Sequence, residues 1–337
     1  MTVVYREDDG DLGYLAGKKV GVIGYGNLGR PVALNLRDSG IQVLVSETLQ
    51  ERYLAAGNAG FPTLPIPETV QQADIVMLLV ADEVMPQVYL EQVSPNLKRG
   101  DTLIFASAYN VAFGYIEAPP FVDVGLIAPR TLGISVRERY INNEGFFSLV
   151  AVGQDASGQA WSKVLALAKA LGSLKAGAIE IVFEREAELD LFVQQAIMPA
   201  FHHIMVTAAQ LLMDMGYPPE VVFTDLYLSG EFSDYLKRAA RIGLLPALRL
   251  ASLTAQYGTF SRLERFNDLK LQRLMEVTLE EIRDGDFAKE WAKEYSDGYH
   301  RLRRLFRDQD QLELWDWEQQ TIDLLNPTRS ENNETDG

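Results

Sequence analysis

The sequence predicts an α/β chain in which a doubly wound, mostly parallel sheet of Rossmann type is followed by an all-helical C-terminal domain. Three observations predict it. A β-branched run, Val20 to Ile23, flows into a glycine turn at Gly24, Gly26 and Gly29, then into helical spacing at Val32, Ala33 and Leu36. Apolar runs of strand length alternate with helix-length segments as far as Phe183, the pattern of βαβ crossovers. From Glu184 onward strands disappear and apolar residues recur at three- and four-residue intervals. The expected organisation is a dinucleotide-binding domain over 1–183, a helical dimerisation and substrate domain over 184–326, and a polar, non-periodic, disordered tail over 327–337.

Taken in order, residues 1–17 read as a lead-in with Leu12 to Leu15 tucked under the sheet. Gln42 to Val45 is the second strand and Leu49 to Ala56 a helix. A short helix at Thr69 to Asp74 precedes Ile75 to Val80, an apolar run with the character of a strand buried on both faces. Met85 to Val93 is a crossover helix. Asp101 to Ala106, Val122 to Ala128, Phe146 to Val152 and Ile179 to Phe183 are the later strands, with a helix over Asp155 to Leu171. The helical half offers Glu184 to Met215, Pro218 to Leu228, Phe232 to Ile242, Leu271 to Asp284, Phe287 to Ser296 and Gln311 to Leu325.

Composition narrows the function classes. The chain has 337 residues, 47% of them apolar, which suits about two globular domains. A formal charge of −16 argues against nucleic-acid or anionic-membrane partners, because phosphate surfaces are bound through clustered Lys and Arg. There is no cysteine, so disulfides, thiolate nucleophiles and thiolate metal sites are excluded. No continuous run of about 18 apolar residues occurs, and the expected setting is the cytoplasm.

The glycine spacing carries the first functional expectation. The first glycine permits the tight turn, the second lets the backbone approach a pyrophosphate, and the third lets helix pack on strand. Diphosphate then sits on the N–H groups that open the helix, so Gly24, Tyr25, Gly26, Asn27, Leu28 and Gly29 are the cofactor-binding residues. The second strand ends in Ser46-Glu47-Thr48, 18 residues past Gly29 at Glu47. A carboxylate there accepts hydrogen bonds from both ribose hydroxyls and repels a 2′-phosphate. NADH is therefore preferred, with NADPH possible because Arg52 is near. Val80, Ala81 and Asp82, where the buried strand ends, and Gly133, after Pro129, complete the set.

Several longer strings carry a resemblance that spans almost the whole chain. Leu15 to Val20, Ala33 to Gly40, Asp82-Glu83-Val84, Asn96-Leu97-Lys98, Gln154 to Gly158, Glu188 to Phe192 and Thr254 to Gly258 resemble ketol-acid reductoisomerase of the short class. The resemblance implies a Rossmann-type domain, a knotted helical domain, a homodimer and shared active sites. It also implies two magnesium ions on four carboxylates, of which Asp190 alone is present: the other three positions hold Gln194, Thr224 and Leu228, while a one-residue slip would bring in Asp225 or Glu231, Asp225 about 100° round its helix from the expected face. Where the family has a histidine followed by Gly-Phe-Asn, this chain has Ser107-Ala108-Tyr109-Asn110, and the family's lysine after Ala-Pro is Arg130.

One carboxylate and an amide cannot supply the oxygens that two magnesium ions require, so the expectation is no Mg²⁺ and no isomerase step. The chain then reads as a divergent, metal-independent reductase that passes a hydride from NAD(P)H to a small imine or carbonyl substrate. Asp190, Tyr109 and Ser107 are the candidate catalytic groups. Arg130, whose planar fork suits a carboxylate, joins Gln194 and Ser252 as substrate-binding candidates. The alternatives are a non-catalytic dinucleotide-binding sensor or scaffold and, more weakly, a residual reductoisomerase.

Overall fold

A computed structural model describes residues 2–263, 265–266 and 270–325; the tail expected over 327–337 lies outside them. The first of two compact units, Met1–Asp190, is built on an eight-stranded sheet. Its strands are β1 (Val4–Tyr5), β2 (Lys19–Ile23), β3 (Gln42–Ser46), β4 (Ile75–Leu78), β5 (Thr102–Phe105), β6 (Asp123–Pro129), β7 (Ser148–Gln154) and β8 (Ala178–Glu180), in the spatial order β1-β8-β7-β6-β5-β4-β2-β3. β2 pairs parallel with β3 on one side and β4 on the other, and β4, β5 and β6 continue in parallel. The chain therefore leaves β2 in one direction and later returns on the other. That reversal opens a crevice beyond the carboxyl ends of β2 and β4, where such sheets bind ligands.

The parallel strands read as continuous apolar runs because both faces are covered: every residue of β4 and β5 is buried. Val20 and Val22 face a layer formed with helices Gly29–Asp38 and Ala160–Leu171. Ile23, Val76 and Leu78 face the other, with Ile66–Gln72 and Tyr89. Beyond Pro129 the direction changes, since β7 runs antiparallel to β6. The loop 155–159 replaces the expected start of the next helix because its polar groups are engaged elsewhere. Ser157 bonds Asp123, and Asp155 Oδ1 accepts the N–H of Ala160.

Each edge of the sheet ends in a short segment. β1 pairs antiparallel with β8, and Tyr5 donates to Glu180 at 2.7 Å. On the far side Val45 donates to Pro62 and accepts from Leu64, so residues 62–64 run along β3. The lead-in differs from expectation: Val4–Tyr5 is a strand, and of the Leu12–Leu15 turn Leu15 is buried whereas Leu12 is exposed. A two-residue strand carries too short an alternation to be read from sequence.

The second unit, Leu191–Gly337, contains no strand among its described residues. Its longer helices are Met198–Asp214, Glu231–Ile242, Leu271–Arg283, Asp286–Ser296, His300–Asp310 and Leu314–Leu325. A small core joins Ala209, Val222, Phe223 and Leu314, while Leu211, Met215, Leu244, Leu253 and Tyr257 are exposed. The helical run Phe183–Asp214 is long and apolar enough, by length and composition alone, to cross a membrane. Gln194, Gln195, His202 and His203 interrupt it, so no unbroken apolar run marks it, although its mean hydropathy is high.

Candidate active site

The glycine turn is built as its spacing requires. Gly24 has φ +98°, and a Cβ there would stand 2.6 Å from the Leu79 carbonyl oxygen; at Gly29 it would stand 1.9 Å from the Gly24 carbonyl oxygen. Neither position tolerates a side chain, since real Cβ contacts do not come so close. Helix Gly29–Asp38 begins at the third glycine, so the turn aims the helix's first N–H groups into the crevice. Tyr25 is buried beneath the turn, Gly26 and Leu28 are half-buried, and Asn27 is exposed at its tip. Gly133 packs on the turn from outside: a Cβ there would lie 2.2 Å from the Asn27 carbonyl oxygen.

Glu47 is engaged more closely than expected. Its Oε2 accepts the Tyr25 N–H at 2.8 Å, and its Oε1 accepts those of Thr48 at 2.8 Å and Leu49 at 3.0 Å. A carboxylate has about four lone-pair sites, so roughly one remains for a ribose hydroxyl where two bonds were expected. Beside the turn a cavity of about 500 Å³ is lined by Gly26, Asn27, Arg30, Arg52 and Arg137. The Arg52 guanidinium lies over Gly26, 3.2 Å from where a Cβ would be.

The carboxyl ends of β4, β5 and β6 bring together a polar cluster. Asp82 follows Val80 and Ala81 after β4; its backbone carbonyl and Oδ1 accept from Asn110 at 3.1 and 3.3 Å. Burial, with Glu83, Asp190 and Glu186 nearby, pushes the Asp82 carboxyl up to about 6. Ser107 accepts the Tyr109 N–H at 3.3 Å. Tyr109 itself is buried against Phe113 and Tyr115, and burial, Tyr115 and Asp82 raise its phenol well above the usual range. The hydroxyl is thereby kept neutral, and its ring is a wall of the site.

Arg130, the residue after β6, is the centre of the cluster. Its Nη1 donates to Asp190 Oδ1 at 3.0 Å and its Nη2 to Glu186 Oε1. The other Glu186 oxygen accepts the Ala108 N–H at 2.9 Å. Glu186 is 1% exposed, against 29% for Arg130 and 37% for Asp190. Burial pushes the Glu186 carboxyl up, against the opposing pull of the Ala108 N–H and Arg130. Sequence reasoning missed Glu186. The signal was available: Glu186 and Asp190 stand four apart on helix Phe183–Phe192 and so share one face.

Gln194 and Ser252 belong to the second unit. Ser252 caps helix Leu253–Phe260, its Oγ accepting the Ala255 N–H at 3.2 Å, which accounts for the hydroxyl structurally. The donor set does not fit the two magnesium ions that the resemblance implies. Asp190 is held by a guanidinium, Gln194 offers an amide, Thr224 a hydroxyl and Leu228 hydrocarbon. Among the described residues no three His, Cys, Asp or Glu side chains gather to hold a metal ion.

Comparison with known proteins covers both units. Residues 14–177 match the family model "Acetohydroxy acid isomeroreductase, NADPH-binding domain", and residues 183–326 match "Ketol-acid reductoisomerase, C-terminal domain". The chain is 38% identical to "Ketol-acid reductoisomerase (NADP(+))" of Pyrobaculum calidifontis over 90% of its own length and 93% of the relative's. It is 39% identical to the protein of that name from Methanopyrus kandleri over 93% and 95%. Among solved structures, an NADH-preferring ketol-acid reductoisomerase from an uncultured archaeon superposes with a TM-score of 0.90 at 31% identity, covering 96% of this chain and 99% of that one. These matches overturn the expectation of a metal-independent imine or carbonyl reductase without isomerase activity, and with it the sensor alternative. They also leave the expectation of an enzyme without Mg²⁺ unsupported. The lost ligands outweighed the rest of the chain in that reading, whereas the matches run from end to end.

Proposed function

Because this chain belongs to the ketol-acid reductoisomerase family, we propose that it carries out the reaction of its named relatives: a small ketol acid and a reduced nicotinamide give a dihydroxy acid. The observation that carries this reading is the match across nine-tenths of the chain. The site geometry agrees with it. The glycine turn offers a dinucleotide its pyrophosphate seat, and Asp82, Arg130 and Asp190 stand at the same carboxyl edge of the sheet.

In the reduction the hydride moves from nicotinamide C4 to a carbonyl carbon, and the oxygen takes a proton. Arg130, fixed by two carboxylates but part exposed, presents its remaining N–H groups to a substrate carboxylate or developing alkoxide. Asp82, with a carboxyl raised to about 6, supplies or relays the proton. No step is derived through magnesium, since the donors present do not fit it.

NADH is the preferred donor in this reading. Support comes from the Glu47 carboxylate at the end of β3, which disfavours a 2′-phosphate, and from the similar NADH-preferring enzyme. The working unit is a homodimer, supported by the exposed apolar face of Phe183–Asp214 and the exposed Leu211, Met215, Leu244 and Leu253. The test follows loss of reduced-nicotinamide absorbance with acetolactate while product is identified by mass. Formation of the dihydroxy acid supports the proposal, and no product with either cofactor overturns it.

A further inference from the structure

We infer that the guanidinium of Arg130 is the resident cation of this site, and that its clamp on Glu186 and Asp190 closes the Asp190 carboxylate to divalent metal ions. The inference rests on the family membership that places Asp190 at a metal position, and it is tested without turnover. Failure to find a substrate therefore leaves it standing.

The clamp is anchored at every end. The Arg130 N–H bonds the Phe147 carbonyl at 2.8 Å, and its Nε reaches the Ala128 carbonyl at 3.4 Å. Glu186 spends one oxygen on the guanidinium and the other on Ala108, deep in the protein. A lysine has a compact point charge, whereas the planar arginine fork spans two carboxylates at once. Magnesium would need an Asp190 oxygen at about 2.0–2.1 Å within an octahedron of oxygens, and there it would stand beside the guanidinium that bonds Oδ1 at 3.0 Å, cation against cation. To admit the ion the guanidinium has to withdraw, which strands the buried Glu186 without its counter-charge, a costly outcome. The three other implied positions, an amide, a hydroxyl and an isobutyl group, offer little to offset that cost; a carboxylate enters there only with a slip in register, at Asp225 or Glu231.

The experiment is a Mn²⁺ titration of the full chain with NADH bound, free Mn²⁺ being read by electron paramagnetic resonance. The wild type should show no saturable site tighter than on the order of 1 mM. Arg130→Met should bind Mn²⁺ at least about tenfold more tightly, since Glu186 and Asp190 then lose the guanidinium. Arg130→Lys, which keeps the charge, should fall between the two, and circular dichroism checks that each variant is folded. A wild-type site at one or two Mn²⁺ per chain that Asp190→Asn abolishes would overturn the inference. So would a folded Arg130→Met no tighter than wild type.

Discussion

The strand that carries Arg130 is pinned at its opposite end by a buried ion pair. Lys163 Nζ donates to Asp123 Oδ2 at 2.7 Å and to Thr102 Oγ1 at 3.1 Å. Ser157 adds its N–H and hydroxyl to the same carboxylate at 2.9 and 2.6 Å. The Asp123 side chain is 0% exposed and that of Lys163 5%. Replacing Lys163 with Met keeps the aliphatic stem but leaves a buried carboxylate with Ser157 as its remaining donor. Breaking such a pair from one side costs about 3–5 kcal/mol, which for a unit of this size lowers Tm by about 10 °C. Burial pushes the Asp123 carboxyl up, but the bonds from Lys163 and Ser157 outweigh it and hold the carboxyl below its ordinary value. That stabilisation is complete above the unfolded value of about 3.9 and is lost as pH falls through the lower folded value. In Lys163→Met the burial that raises the Asp123 carboxyl is no longer outweighed, so the deficit should be largest near pH 8 and shrink progressively as pH falls toward about 4, where the variant's carboxyl has taken up its proton. Urea unfolding of wild type, Lys163→Met, Asp123→Asn and the double variant reads it, and the double variant should be less destabilised than the sum. NADH affinity should stay unchanged, because the pair lies at the amino end of β6, away from the crevice. A Lys163→Met loss under about 1 kcal/mol would refute the reasoning.

Three further outcomes are expected. Gly133→Ala should leave the fold intact yet weaken NADH binding, because the added Cβ pushes on the Asn27 carbonyl of the turn; equal affinity by fluorescence titration counts against the role given to this contact. Glu47→Ala should weaken NADH by about 10–100-fold, one hydrogen bond to a charged group, and narrow the gap to NADPH; a widened gap defeats the selectivity argument. Asp82 gives a pH signature of the opposite sign to Asp123. Its folded carboxyl is raised to about 6, so the folded state binds the extra proton and stability falls as pH rises from about 4 to 6. Asp82→Asn should remove that slope and gain on the order of 1–2 kcal/mol at pH 7, while cutting turnover if the proton passes through Asp82.

Much of the frame was legible because its signals are local. The β2 run, the three glycines and Glu47 lie within 28 residues, and the wholly buried strands announce themselves as Ile75 to Leu78 and Thr102 to Phe105. What escaped is what depends on distant partners. Helix Gly133–Ile141 has only Val136 buried, so its periodicity is faint. Glu186 acquires its meaning from Arg130, 56 residues earlier, and from a backbone N–H at Ala108. Counting ligands residue by residue favoured a changed chemistry, although the architecture around them is that of the family.

The paired ends of the sheet also constrain how copies of this chain can meet. With the two-residue β1 outermost beside β8 and residues 62–64 along β3, each margin ends in a segment too short to template a long foreign strand. The proposed homodimer would then form through side chains on helices. In that arrangement, surface substitution in the C-terminal half would change the assembly without unravelling the nucleotide fold.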